Sequence, residues 1–320
     1  MSELNLQRNS RIANFPIMFF AVTMGLGGLS LGYKAINEVF EISNFIFEIL
    51  RFFTLGIFSI ISLFYVTKFL KFPQSCKAEF SHPIKINFFA AFPISLLLLS
   101  ILFKEDGGIF YSAIFCVGVA IQTFLTLYIV SFWIKNNMLI QHSNPAWFIP
   151  IVGNLIVILA AKENSQFLWY YFSVGLFFYI VLFSIIFYRI IFHDQLAQKF
   201  IPTLFIMIAP PAIAFLDYIK LGGNFDFTAQ IFLNLTIFFV LLIFFMFKSF
   251  FGLKFFLSWW AFTFPTAAAT IAFMKAYELS KEQIFAYLGA GMFSVLSILI
   301  LIVGFFTIKS IKKGEICIAE

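Results

Sequence analysis

Ten apolar stretches of about 20 residues each, parted by short polar connections, leave this chain few ways to fold. They fall at about 14–33, 47–70, 84–103, 109–134, 146–161, 167–192, 201–219, 228–247, 255–276 and 284–308. A bilayer core of roughly 30 Å is crossed by about 20 helical residues, and a spanning segment must satisfy its own backbone hydrogen bonds. Each run therefore reads as a transmembrane helix. Composition agrees: the 320 residues are 62% hydrophobic and 11% charged, with mean hydropathy +0.99. Soluble domains are about half apolar and a quarter charged. The expectation is one all-α integral membrane domain over residues 1–320, with short cytoplasmic tails at 1–13 and 309–320.

Charge in the connections sets the orientation. Cytoplasmic loops carry more Lys and Arg. With both termini inside, the inside segments hold 14 of the 21 basic residues but five of the 15 acids. Nine or eleven spans would scramble that bias. The sequence thus predicts a multi-pass protein of the cell inner (plasma) membrane with both termini cytoplasmic. The N-terminal "MSELNLQRNSRIANF" has no apolar core followed by a cleavage site, and it does not read as a signal peptide. The net charge of +6 would suit nucleic acid in a soluble protein. Here its distribution points to the lipid bilayer as partner and to no nucleic acid.

Proline divides the runs into two kinds. Pro16, Pro93, Pro150, Pro210 with Pro211, and Pro265 lie in runs one, three, five, seven and nine; the even runs have none. Pro73 and Pro83 read as loop residues, and Pro145 and Pro202 as helix starts. The pattern is an internal repeat: one helical hairpin used five times, its first helix kinked and its second straight. Proline removes a backbone hydrogen bond, and irregular backbone survives in a membrane only where protein or a water-filled cavity surrounds it. The five kinked helices should therefore lie inside, around a central pore. Their residues agree: "VTMGLGGLSLG" (Val22–Gly32), "IVGNLI" (Ile151–Ile156) and "TAAAT" (Thr266–Thr270) are small or hydroxylic, whereas "FYIVLFSIIFYRIIF" (Phe178–Phe192) is bulky all round. Candidate pore-lining residues are Thr23, Asn154, Thr203 and Thr266, beside the kink prolines.

Catalytic and metal-binding patterns are missing. His82, His142 and His193 fall in predicted loops, and Cys76, Cys116 and Cys317 are far apart, with Cys116 expected to be buried in the fourth run. No enzyme activity, metal or cofactor is expected. Lys34, Lys85 and Lys275 sit near run ends, where snorkelling is cheap. Asp217 reads as an interfacial residue near Lys220. Glu48 and Arg51 lie one turn apart and should pair.

The proline of run nine sits in "FFLSWWAFTFPTAAATIAF" (Phe255–Phe273), and two phenylalanines compete for its axial face. Phe262 shares a face with Ser258 and Thr266, and this more polar face is the better pore candidate on residue type alone. Phe264 directly precedes Pro265 and has Ala267 and Ala268 three and four residues on. Here "SWWAFTFPTAAATIA" (Ser258–Ala272), together with "HPIKINFFAAFPISLLLLS" (His82–Ser100), "NPAWFIPIVG" (Asn144–Gly153) and "FPIMFFAVTMGLGGLSLGY" (Phe15–Tyr33), resembles the tellurite-resistance/dicarboxylate transporter family, which includes bacterial TehA and the plant guard-cell slow anion channel. The resemblance runs through essentially the whole chain. It implies ten helices in five hairpins, a pore in each subunit of a homotrimer, and a phenylalanine plug, which falls on Phe264. It also implies small anions as partners. Two functions are compatible with it: a channel for small monovalent anions gated by the plug, and a secondary carrier or exporter for dicarboxylate, tellurite or sulfite.

Overall fold

A computed structural model describes residues 10–318, and every regular element among them is helical. Residues 1–9 and 319–320, the outer parts of the expected tails, lie outside the described residues. The helices are α1 (Phe20–Phe40), α2 (Asn44–Lys71), α3 (Pro73–Phe80), α4 (Ala91–Leu102), α5 (Gly108–Lys135), α6 (Ile149–Ala160), α7 (Gln166–Phe192), α8 (Ala209–Lys220), α9 (Phe227–Phe245), α10 (Thr263–Ser280) and α11 (Gln283–Lys313). Eight helical stretches among the described residues are long and apolar enough to cross a membrane; Pro145–Ala160 is apolar but shorter. Pro73, read from the sequence as a loop residue, opens α3, where its fixed φ suits the first helical position.

Five helices carry a 3-10 lead-in: Ile17–Phe19 before α1, Lys85–Ala90 before α4, Pro145–Phe148 before α6, Gln198–Ile208 before α8 and Leu257–Phe262 before α10. The prolines mark these junctions. Pro16 precedes the first lead-in, while Pro93, Pro150, Pro210, Pro211 and Pro265 are second or third residues of the α-helix that follows. Proline offers no N–H to the carbonyl four residues back. The 3-10 turn supplies another donor, because its bonds reach back three residues. The N–H of Ile149 bonds the carbonyl of Ala146, and that of Ala209 bonds the carbonyl of Ile206. Those are the two carbonyls that Pro150 and Pro210 would have stranded. Neither of these two carbonyls is therefore left free.

The five led helices form a closed ring. α1 packs on α4, α4 on α6, α6 on α8, α8 on α10, and α10 back on α1. The 3-10 lead-ins touch one another in the same cyclic order, so the five rods run parallel with their lead-ins at one end. Each remaining long helix lies against two neighbouring rods: α2 on α1 and α4, α5 on α4 and α6, α7 on α6 and α8, α9 on α8 and α10, α11 on α10 and α1. Burial follows this division. Of the apolar stretches in the first, second and fourth rods, 72%, 78% and 83% of residues are buried, against 17–33% in the outer helices. The outer faces present Phe45, Leu63, Ile134, Phe245 and Leu301, as a lipid-facing surface would. Cys116, expected to be buried, is exposed on α5, because only a stripe of each outer helix reaches the ring.

Glycines bring α1 against α10. A Cβ on Gly28 would stand 2.8 Å from that of Ala267, and one on Gly25 would strike Thr263 and the Trp260 ring. Such close approach is how small residues hold membrane helices together. At the lead-in end, a buried ion pair fixes the start of the first rod. Lys68 Nζ lies 2.6 Å from Glu79 Oε2 and donates to the Phe15 carbonyl at 2.8 Å. Glu79 accepts from the Ile17 N–H at 2.8 Å and from the Tyr65 hydroxyl at 3.1 Å. The clasp thus holds both backbone groups that flank Pro16. Cys76, on α3 beside it, is buried, and burial pushes its thiol pKa up.

Gly28→Leu is expected to overpack α1 on α10 and cost about 1–3 kcal/mol in unfolding measured in detergent. Gly291→Ala, where nothing lies within 4 Å, should be neutral or slightly stabilising. In the same assay Glu79→Ala should cost about 3–5 kcal/mol, because Lys68 would be left buried and unpaired.

Candidate functional site

The site is the interior of the ring near the start of α10, where two turns of different geometry meet. The Leu257–Phe262 lead-in ends one residue before Thr263, and Phe262 and Phe264 leave the rod on different sides. Phe262 is 5% exposed and joins an aromatic cluster: its ring centroid lies 4.7 Å from Phe205, 5.8 Å from Phe250 and 5.9 Å from Trp259. Phe205 belongs to the next rod, Phe250 to the turn after α9, and Trp259 to the same lead-in as Phe262. Phe264 is 8% exposed and stacks on no other ring among the described residues. Its Cδ2 lies 3.5 Å from where a Cβ on Gly28 would be, so it packs on the bare backbone of α1.

The polar face of α10 is satisfied locally. Ser258 donates to the Lys199 carbonyl at 2.6 Å, Thr266 to the Phe262 carbonyl at 2.7 Å, and Thr270 to the Thr266 carbonyl at 3.0 Å. Thr266 borders an apolar crevice of 170 Å³ with Phe205, Phe244, Met292 and Leu299, between the rods and the outer helices α9 and α11. The hydroxyls that made this face the better axial candidate in the sequence are bonded to backbone carbonyls, those of Thr266 and Thr270 to their own helix and that of Ser258 to the neighbouring rod.

The other candidate residues are all buried, in different settings. Asn154 on α6 donates to Thr126 Oγ1 and the Pro150 carbonyl, each at 3.0 Å, and Gln122 donates to that carbonyl at 2.8 Å. Its amide is thus committed to α5 and to its own helix. Thr203 donates to the Phe200 carbonyl at 2.5 Å. Thr23 is fully buried, and its hydroxyl has no partner among the described residues. Pro93, Pro150, Pro210 and Pro265 are buried at the junctions, and Pro16 is flanked by the clasp. No group of three or more His, Cys, Asp or Glu able to hold a metal occurs among the described residues.

Asp217 is where sequence reasoning erred. It is fully buried on α8, with neither carboxylate oxygen partnered among the described residues. Lys220, its expected companion, instead donates to the carbonyls of Ile158 at 2.6 Å, Leu159 at 3.1 Å and Ala161. A turn position three residues from a helix end looks interfacial in a sequence; here the end of α6 folds over it and takes the lysine. The expected Glu48–Arg51 pair forms at 2.6 Å, and Asp106 adds a second contact to Arg51 at 2.7 Å. At the opposite end, Cys317 is half-buried, and burial pushes its thiol up to about 11 against the pull of Arg11 and Lys68.

Comparison with known proteins gives the fold its kin. An uncharacterized transporter of Methanocaldococcus jannaschii is 26% identical, over 96% of this chain and 98% of its own. The guard cell S-type anion channel SLAC1 of Arabidopsis thaliana is 28% identical over 83% of this chain, which matches only 50% of the plant protein. A tellurite resistance protein TehA homolog of Haemophilus influenzae is 23% identical over 94% of this chain and 92% of its own. The family model described as SLAC1, voltage-dependent anion channel, matches residues 14–308, and the chain belongs to that family.

Proposed function

We propose that the chain is a channel for small monovalent anions, with one pore along the axis of the five-rod ring and Phe264 as its plug. In this reading all ten helical rods span the inner (plasma) membrane as five hairpins, both termini are cytoplasmic, and three copies associate, each with its own pore. The closed parallel ring carries the proposal, because such a ring can enclose a path that no single helix pair could. Two observations support Phe264 over Phe262. Phe262 is held on one side of its rod by three aromatic neighbours, so moving it would dismantle a cluster. Phe264 stacks on no other ring among the described residues and packs against the bare Gly28 backbone of α1, so no aromatic cluster holds it.

The chemistry of the junctions suits anions. Open carbonyls are cation ligands, and the 3-10 turns occupy those at Pro150 and Pro210. The relatives named as anion channels support the same substrate class. A ring across an apolar constriction blocks by size and by discouraging wetting, and a smaller side chain relieves both.

Phe264→Ala is expected to give a large increase in chloride or nitrate current in a planar bilayer, in unitary steps, with Phe264→Leu intermediate. Phe262→Ala should open nothing and should cost about 3–5 kcal/mol of stability by leaving a dry cavity. Opening by Phe262→Ala alone would assign the plug to the wrong face. Movement of a dicarboxylate, tellurite or sulfite without unitary steps in any variant would establish the carrier instead.

A further inference from the structure

Parallel rods have a consequence for charge. A helix carries about +0.5 elementary charge at its N-terminus and about −0.5 at its C-terminus. The lead-in end of the ring therefore gathers positive poles, which welcome an anion. The far end gathers negative ones. Three of the five rods, α4, α6 and α8, stop there at Leu102, Ala160 and Lys220, while α1 and α10 continue to Phe40 and Ser280. Three such ends amount to about −1.5 charges around one mouth, a barrier to any anion entering or leaving.

Each rod places one lysine at this level. Lys34, Lys104, Lys162, Lys220 and Lys275 follow the first α-helical residues Phe20, Ala91, Ile149, Ala209 and Thr263 by 14, 13, 13, 11 and 12 positions. At about 1.5 Å per residue the whole spread is under roughly 5 Å of height. Seven basic residues fall on this side of the chain by the charge count above, and five of them are this set.

The structure divides the five by what they touch. Lys34 and Lys275, on the rods that continue outward, are ion-paired: Lys34 with Glu105 and, at 3.9 Å, Glu38, and Lys275 with Glu278 at 2.9 Å. Lys104, Lys162 and Lys220 belong to the three rods that end here, and none has a carboxylate within 4 Å among the described residues. Lys220 lies on the last carbonyls of α6, and Lys104 reaches the same carbonyls, donating to Leu159 at 3.3 Å. Burial lowers the Lys104 pKa; this ammonium contacts Lys220 and feels the charges of Lys34 and Lys162 and, with opposite sign, of Glu105, so four of the five lysines form one cluster. The other charges on this side of the chain are the buried Asp217, the acids Glu41, Glu48, Asp106, Glu163, Asp226 and Glu282, and the bases Arg51 and Lys281; Arg51 is paired with Asp106 and Glu48, and Asp226 accepts from the Tyr218 hydroxyl.

We propose that these lysines form a belt that cancels the negative helix ends at this mouth and makes it an entry site for inorganic anions, with Lys104, Lys162 and Lys220 carrying the uncompensated charge. The inference rests on the anion-channel reading for its purpose but not for its measurement. Local potential is read without any current from the full chain with its natural cysteines replaced and Asn164→Cys added; this exposed residue bonds the Lys220 carbonyl at 2.5 Å. Rates with an anionic and a cationic methanethiosulfonate reagent are compared with those of a free thiol at about 10 mM salt, where the Debye length is about 30 Å.

The belt predicts that the anionic reagent is favoured, that Lys104→Gln, Lys162→Gln and Lys220→Gln together reverse the preference, and that the three Arg substitutions keep it. Each single Gln change should lower the anionic-to-cationic ratio about threefold or more. A preference for the cationic reagent in the native chain, or a ratio unmoved by the triple Gln variant, overturns the belt. In the Phe264→Ala background the triple Gln change should cut anion current at about 10 mM salt and have little effect near 1 M, where screening falls within about 3 Å. Current that ignores the lysines at low salt also overturns the belt. Absence of any current counts against the channel reading alone, and the thiol ratio then decides the belt.

Discussion

A membrane forbids an unpaired backbone group, and prolines in each of the five inner rods would create them. The rods all begin as 3-10 helix and then change to α-helix, and at Pro150 and Pro210 the residue just before the proline supplies the donor that the proline lacks. The change of winding is confined to the first turn, which leaves the rest of each rod regular enough to pack. Because all five rods do this at the same end, their lead-ins touch in a ring, and the ring closes. Gly25 and Gly28 complete the closure between the first rod and the last, and the Lys68–Glu79 clasp pins the backbone on both sides of Pro16.

The outer helices follow from the inner ones. Each lies in the groove between two rods and shows the rest of its surface to lipid, which is why so many large apolar side chains are exposed. Thr23 and Asp217 keep unpartnered oxygens in the interior among the described residues, but several other polar groups there are committed. Hydroxyls of Thr203, Thr266 and Thr270 bond their own helices, and the amide of Asn154 is shared with α5. In the path proposed above, selectivity would rest less on ligands lining it than on the potential at its two ends and on the size of the plug. On that proposal the parallel helix dipoles make one end positive, and the lysines offset the negative helix ends at the other.

Much of this was visible in the sequence, because hydropathy and proline are read one residue at a time. Every apolar run coincides with a helical rod, and the runs with internal prolines are the buried ones. The first rod extends to Phe40, beyond the run ending near residue 33, because Asn37 and Glu38 continue the helix after its apolar part has ended. What escaped was which groups are covered and bonded. The hydroxyls of the Ser258–Phe262–Thr266 stripe suggest water in the sequence, and in the structure they donate to carbonyls of the same helix or the neighbouring rod. Asp217 looked interfacial because nothing in its own segment shows that the end of α6 covers it. The lysine set was legible as spacing but acquired a meaning only when the rods proved parallel.

The central claim is that position 264 stands in a path that both sides of the membrane share, while position 262 does not. Phe264→Cys and Phe262→Cys, each in a background without other cysteines, separate the two. The account predicts that Phe264→Cys passes anion current and that a small water-soluble thiol reagent applied from either side abolishes it, leaving Phe262→Cys unaffected. Loss of current through Phe262→Cys, with Phe264→Cys silent or insensitive, would contradict it.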